Sequence, residues 1–454
     1  MHEDRFTLHH KAPLTGEKPI LYWLSNTHRI DQNYALYEAL RLANQAKTTV
    51  EVLFVLTPGF KDANARHYAF MLEGLKALFL DLEHLNIKAF LKVGSFEDVL
   101  VPLLKDYDAL ILDKAYQKEL RKAKQTLIEH AVSDKLYVCE VESDVIVPIE
   151  QASDKLEYAA RTIRPKLLKR KDTYLTLHDL PEVTQIVRYH EPFFDQDLEA
   201  QLEAVKADRS VLKSPYFKGG EAHANAQLER FLDTKLRHYE DSNDPSKGYT
   251  SKLSPYLHFN MISPVRVYLA VEAYGKDHPE AKESVEGFLE QLLVRRELAF
   301  NFVYYEPHYD VFEHMTYAWA YDTMKAHEKD IREYHYTEDD YVSFSTHDPY
   351  FNAAMQEMVK TGYMHNYMRM YWAKKIIEWT PTYKTAYETI LRLNNRYFID
   401  GENPNSYTGV AWCFGRHDRP WTERAVFGKL RYMNAEGLKR KFDIEHYVRQ
   451  MGKL

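Results

Sequence analysis

The sequence predicts an α/β amino-terminal half built on a doubly wound parallel sheet, followed by an all-α carboxy-terminal half. Three observations carry this. Between residues 19 and 142, strand-like and helix-like stretches alternate, the pattern of parallel strands joined by crossover helices. Across 148–218 the periodicity gives way to polar, basic and Pro/Gly-bearing stretches. From Gly220 onward the long periodic segments are helical. The expected division is therefore a sheet domain over 1–147, an inter-domain connection over 148–219 and a helical domain over 220–454.

In chain order, PILYWLS, TTVEVLFVLT, IKAFLKVG, ALILDKAY and KLYVCEVE are apolar runs of strand length, the mark of strands buried on both faces. Helices are expected between them, for example over 32–45 and 67–84. No G-x-G-x-x-G follows the first run, so a dehydrogenase-type dinucleotide site is not supported. The 25–29 turn still lies where such sheets bind ligands. In the connection, SDKLEYAARTIRPKLLKRKDTYL is polar and basic. A solvated helix and a direct functional contact both remain open for it. Helices are expected over 222–241, 280–303, 350–362, 364–379 and 383–395.

A chain of 454 residues, 45% hydrophobic, has ample core for two or three domains. The high aromatic share, with 34 Tyr, fits either core packing or stacking on planar ligands. Only Cys139 and Cys413 are present, which argues against a disulfide framework and for a reducing cytosol. No apolar run approaches a membrane span and the first residues lack an apolar signal core. A net charge of -7 argues against a globally basic nucleic-acid binder. Locally, DRPWTERAVFGKLRYMNAEGLKRKF reverses that balance. It holds Arg419, Arg424, Lys429 and Arg431, with Trp412, Trp421, Phe427 and Tyr432 in or beside it. Cations interleaved with aromatics favour nucleic acid over a merely solvated face.

Four further stretches bear on chemistry. In MHNYMRMYWAKKIIEW, His365, Arg369, Trp372, Ile376 and Trp379 share one helix face. A packed amphipathic helix with a snorkelling Arg is one reading. An electron path beside a redox cofactor, with Arg369 balancing cofactor charge, is the other. TSKLSPYLHF sets Thr250, Ser251 and Ser254 ahead of a helix, an arrangement suited to phosphate or to a plain N-cap. LLVRRELAFNF places Arg295 and Arg296 in an apolar helix, where cations need partners or a ligand. FIDGENPNSYTGVAW brings Asp400, Glu402 and Trp412 together on a turn-rich loop. The His residues lack ligand spacing, so no metal site is expected.

Taken in order, LYWLSNTHRIDQNYAL, ARHYAFMLEGL, SDKLEYAARTIRPK, TSKLSPYLHF, LLVRREL, HDPYFNAAMQ, MRMYWAKKIIEWTP, LNNRYFIDGENPNSY and FGKLRYMN make the chain resemble the class II cyclobutane pyrimidine dimer photolyases of the photolyase/cryptochrome family. The resemblance spans nearly the whole chain. It implies a Rossmann-like antenna domain and a helical domain holding FAD. The implied reaction is light-driven electron transfer from the reduced flavin to a flipped-out dimer in UV-damaged DNA. On this resemblance Tyr239, Thr250, Ser251, Leu253 and Ser254 contact the flavin phosphates and ribityl chain. Arg369 and Asp400 form the ion pair beside its ring, Asn394 faces its reactive nitrogen, and Glu402 belongs to a shared D-G-acid pattern. Trp372 and Trp379 relay electrons. Gln291, Arg295, Met370 and Trp412 meet the lesion, and Arg419, Arg424, Lys429 and Arg431 meet phosphates. An antenna chromophore, deazaflavin or folate, is left open.

The chain departs from the family pattern at several positions, among them Asn366 for a Gly, Asn395 for an Asp, and Phe351 where D-P-L-W carries a Trp. The rival expectation is a cryptochrome-like blue-light photoreceptor without repair activity. The absence of a long tail after the basic region is read as favouring repair. A monomer is expected, in the cytoplasm with the nucleoid, or in the nucleus of a eukaryote.

Overall fold

The computed structural model describes residues 2–186 and 197–454. Six strands, β1 (Phe6–His10), β2 (Ile20–Leu24), β3 (Val50–Leu56), β4 (Lys88–Val93), β5 (Ala109–Asp113) and β6 (Tyr137–Val141), form one sheet in the order β1-β6-β5-β2-β3-β4. All neighbours run parallel except β1 against β6. Alternation along β2 explains the two-sided burial. Ile20, Tyr22 and Leu24 enter the core under the Tyr34–Ala46 and Ala65–His84 helices. Leu21 and Trp23 enter the core that holds Leu127 of the Lys118–Ser133 helix. The sheet is thus doubly wound, and its strand order reverses between β2 and β5, where such folds open a ligand crevice.

Strands β2 to β6 lie where the apolar runs placed them, but β4, at the edge of the sheet, has only Ala89 buried and not both faces covered. Strand β1 was not anticipated: FTLHH is largely exposed, so it lacks the apolar run by which its neighbours are recognised. The expected helix over 222–241 breaks after Thr234 into a 3₁₀ turn, Leu236–Asp241. That over 280–303 is interrupted by a π-helical turn, Glu290–Arg295. His365 lies outside the Asn366–Trp379 helix and caps it, its ring accepting from the Tyr367 amide. The connection contains a 15-residue helix, Ala160–Tyr174, with Pro165 inside it.

Side chains from the sheet domain anchor the helical half through its backbone. Arg66 donates to the carbonyls of Tyr397 (2.7 Å) and Val359 (2.7 Å), and a His67 ring nitrogen sits 2.9 Å from Phe398 O. Arg266 forks onto Asp31 at 2.7 and 2.9 Å. Buried Glu297 accepts from the Ile146 amide at 2.6 Å. The Arg66 and His67 bonds hold the Tyr397–Phe398 end of one helix against the start of the Ala65–His84 helix, which follows β3.

Candidate functional site: a cofactor pocket and a nucleic-acid surface

The candidate cofactor site is assembled from three segments. The Asn366–Trp379 helix supplies Arg369, whose Nη2 donates to both oxygens of Asp400 at 3.1 and 3.2 Å. Its Nε donates to Met364 O at 3.1 Å, and the guanidinium lies 3.9 Å over the Phe398 ring. The side chains of Arg369 and Asp400 are 24% and 10% exposed. Cation and carboxylate therefore stabilise one another largely away from water. Asp400 is carried by the loop after the Tyr383–Tyr397 helix. Gly401 there tolerates no side chain, because a Cβ would fall 2.6 Å from Asn395 O.

The TSKLS segment turns sharply at Lys252, which adopts φ +55°. Thr250, Ser251 and Ser254 are half-buried. Tyr363 joins this turn to the ion pair: its hydroxyl donates to Thr250 Oγ1 at 3.0 Å, and Arg369 lies 5.8 Å from its ring. Burial pushes the Tyr363 phenol well above its ordinary range. Leu253 is buried, and Tyr239 packs against Phe231 and Phe288. Asn394 is buried, with its amide donating to Asn395 Oδ1 at 3.0 Å.

Glu402 faces elsewhere. Its carboxyl looks toward Lys61, Asp62 and Glu119 of the sheet domain, and burial raises it to about 7. Together with Asn395, Gly401 and Asn403 it forms one wall of an open cleft between the two halves. The other wall is the carboxyl end of the sheet, with Ser25, His28, Phe54 and Thr57. Both ring nitrogens of His28, Ser25 Oγ and Thr57 Oγ1 are buried without a protein partner. Asp144, also in this cleft, is raised by burial to about 7.

On the other side of Arg369, Trp372 is buried and donates to Met355 Sδ at 2.8 Å; its ring lies 6.3 Å from Phe398. Trp379 is buried against Phe351, with ring centroids 4.9 Å apart. Two tyrosines nearby have carboxylate partners: Tyr371 donates to Asp348 and Tyr350 to Glu445, both at 2.5 Å.

The surface residues form two groups. Arg295 emerges from the π-helical turn to lie 5.2 Å over Trp412, with Glu290 3.4 Å from its Nε. Gln291 of the same turn is exposed, and Met370 is half-buried. Farther along, Arg419 and Arg431 lie 5.5 and 5.3 Å from the Trp421 ring, and Arg424 lies 5.1 Å from Tyr432. Lys429 is exposed. Sequence reasoning missed Tyr363 and Phe398 as parts of the pocket. The only signal was their position, Tyr363 directly before the M-H-N segment and Phe398 two residues before Asp400 of D-G-E. Among the described residues, no group of His, Cys, Asp and Glu is placed to hold a metal ion, and no helix is long and apolar enough to cross a membrane.

Hydroxyls and an inner Arg–carboxylate pair around one pocket, beside a cationic and aromatic surface, are the build of a two-domain cofactor protein that meets a polyanion. Comparison with known proteins narrows this class. Residues 20–185 match the DNA photolyase family model. The chain is 44% identical over 447 residues to a deoxyribodipyrimidine photo-lyase of Methanothermobacter thermautotrophicus, covering 96% of both chains. It is 38% identical to that of Potorous tridactylus, covering 95% of this chain and 81% of the relative. An archaeal photolyase from Sulfolobus tokodaii, solved with two FAD molecules, superposes with a TM-score of 0.70 at 17% identity, over 95% of this chain and 89% of that one. The chain belongs to the DNA photolyase family.

Proposed function

We propose that this protein is a class II deoxyribodipyrimidine photo-lyase that repairs cyclobutane pyrimidine dimers in UV-damaged DNA. The observation that carries the reading is one cluster of side chains, in which Tyr363 links Thr250 to the Arg369–Asp400 pair, together with the Arg295–Trp412 surface. The pocket residues fit FAD: Thr250, Ser251 and Ser254 offer hydroxyls to its phosphates, and Arg369 offers a half-buried cation to its ring. When bound and reduced, FAD supplies the light-excited electron that opens the dimer's cyclobutane ring. The chain's own residues do the rest. Asp400 holds the Arg369 guanidinium in place, so its positive charge stays fixed where negative charge develops. Asn394 is positioned by Asn395 as a polar neighbour of the ring. Trp412 stacks on the flipped-out lesion, and Arg419, Arg424, Lys429 and Arg431 neutralise phosphates. Trp372 and Trp379, buried on the helix that carries Arg369, would line the route by which electrons reach the bound cofactor.

The unpartnered His28, Ser25 and Thr57 atoms in the cleft at the strand ends offer hydrogen bonds to an antenna chromophore, a deazaflavin or a folate. The division at 147 and 219 accompanies this reading, supported by the end of β6 at Val141 and the helix that begins at Glu221. A monomer in the cytoplasm, or in a eukaryotic nucleus, completes it. The test is to release the bound flavin by denaturation and identify it, and to follow dimer loss in an illuminated oligonucleotide. FMN alone, or no flavin, would sink the cofactor assignment. FAD with no dimer loss would favour the photoreceptor alternative.

A further inference from the structure

The connection between the two halves holds a feature that the repair reading leaves unused. Tyr158, just ahead of the Ala160–Tyr174 helix, is 46% exposed. Its ring is stacked on Tyr317, with centroids 4.2 Å apart and planes 16° from parallel. The Arg416 guanidinium lies 4.7 Å over the Tyr317 ring. Tyr317 is thus held between a cation and a second ring, and the stack ends on the solvent side at Tyr158.

The stack is tightly fixed. The Tyr158 carbonyl accepts from the Tyr317 hydroxyl and lies 2.7 Å from His417 Nδ1. Burial lowers the His417 imidazole to about 3, so it is neutral and donates its Nδ1 proton to that carbonyl. The adjoining Glu157 amide donates to Asn301 Oδ1 at 2.8 Å. A ring that only covered a surface gap needs neither a second ring beneath it nor two donors on its carbonyl. A ring held rigid before it meets a ligand loses little conformational entropy on binding.

One exposed cation lies three residues on from Tyr158, and a run of ion pairs leads from the same helix to the lesion surface. Arg161 is exposed and forms no ion pair among the described residues. Arg164 pairs with Glu290 at 2.7 Å, and Glu290 also meets Arg295, the residue lying over Trp412. His417 follows Trp412 by five residues and anchors Tyr158 directly.

We infer that Tyr158 is a stacking platform for a nucleobase of the damaged strand beside the flipped-out dimer, with Arg161 meeting the adjoining phosphate. This rests on the proposed repair reading and extends it to the connection. An aromatic face beside an unpaired cation suits a base and its phosphate, and stacking of this kind tolerates any sequence. A flipped-out dimer leaves neighbouring bases without their usual stacking partner, so a base there is free to engage such a face.

The test uses the full, flavin-loaded chain in the dark. A fluorescent purine analogue is placed in turn at each position flanking a thymine dimer, and binding and quenching are read together. Wild type should quench the analogue at one flanking position. Tyr158→Leu should lose that quenching and bind the damaged oligonucleotide about tenfold more weakly, the scale of one aromatic–base stack. Tyr158→Phe should keep both, with an unchanged melting temperature. Arg161→Gln, which leaves the stack intact, should lower the slope of log affinity against log salt by about one. Quenching and affinity unchanged in Tyr158→Leu, or lost equally in a folded Tyr158→Phe, would overturn the platform. Should Tyr158→Leu not fold, the Phe variant and the Arg161 salt slope decide; a slope equal to wild type counts against the inference. If wild type prefers damaged DNA and Tyr158→Leu keeps that preference and the quenching in full, the platform fails and the repair reading stands. If wild type shows no such preference, the repair reading fails and the platform with it.

Discussion

Replacing Arg369 by Ala removes more than a charge. Asp400, its side chain only 10% exposed, loses both bonds to Nη2. The Met364 carbonyl loses its bond from Nε, and Phe398 loses the guanidinium that covers it. Breaking a buried ion pair by deleting one partner costs about 3–5 kcal/mol, chiefly through the uncompensated charge left behind. Arg369 is about a quarter exposed, so water admitted by the smaller side chain relieves part of this. A loss of about 2–4 kcal/mol is expected. Arg369→Lys keeps the charge without the planar fork and should fall between Ala and wild type. Asp400→Asn keeps an acceptor and should cost about 1–2 kcal/mol. The measurement is urea unfolding of the flavin-loaded protein, with the midpoint shift read at unchanged slope, alongside the flavin retained after gel filtration. Arg369→Ala within about 0.5 kcal/mol of wild type, with full flavin retention, would refute the account of this pair.

Trp412→Ala should weaken binding of dimer-bearing DNA by about 1–3 kcal/mol and scarcely change undamaged DNA; equal weakening toward both would remove Trp412 from the lesion. Phe351 stands against Trp379, where an oxidisable indole would extend the proposed relay, so Phe351→Trp should speed blue-light photoreduction of oxidised flavin with a thiol donor. Trp372→Phe should slow it, and identical rates in all three proteins would reduce that helix to packing. His67 is held neutral by burial, down to about 4. Below about 6.5 the unfolded chain binds a proton that the fold refuses, so stability from this group is full above that pH and falls toward pH 4. His67→Gln should therefore reduce the steepness of acid destabilisation between those limits by up to ~1.4 kcal/mol per pH unit. An unchanged slope by urea titration at several pH values would contradict it.

Much of this architecture is legible in local sequence. Buried parallel strands write themselves as apolar runs, and the Arg369, Trp372 and Trp379 stripe follows from helical periodicity alone. What escapes is what depends on distant partners. Strand β1 exists because it borrows the edge of β6, which FTLHH does not announce. The π-helical turn that turns Arg295 onto Trp412 adds a residue to one helical turn without changing composition. Tyr363 becomes part of the pocket only through Thr250, more than a hundred residues earlier. Glu402 shares a short loop with Asp400, yet its backbone at φ +56° sends it toward the sheet domain while Asp400 meets Arg369. Motif resemblance links such distant segments, but it gives no direction to a side chain.

The most direct measurement exposes the flavin-loaded, chemically reduced protein to an excess of an oligonucleotide with one thymine dimer, half in blue light and half in darkness. Chromatography then counts intact thymines. The account predicts several dimers restored per protein in light and none in darkness. Bound, reduced FAD with no dimer restored in light, or equal restoration in darkness, would contradict it.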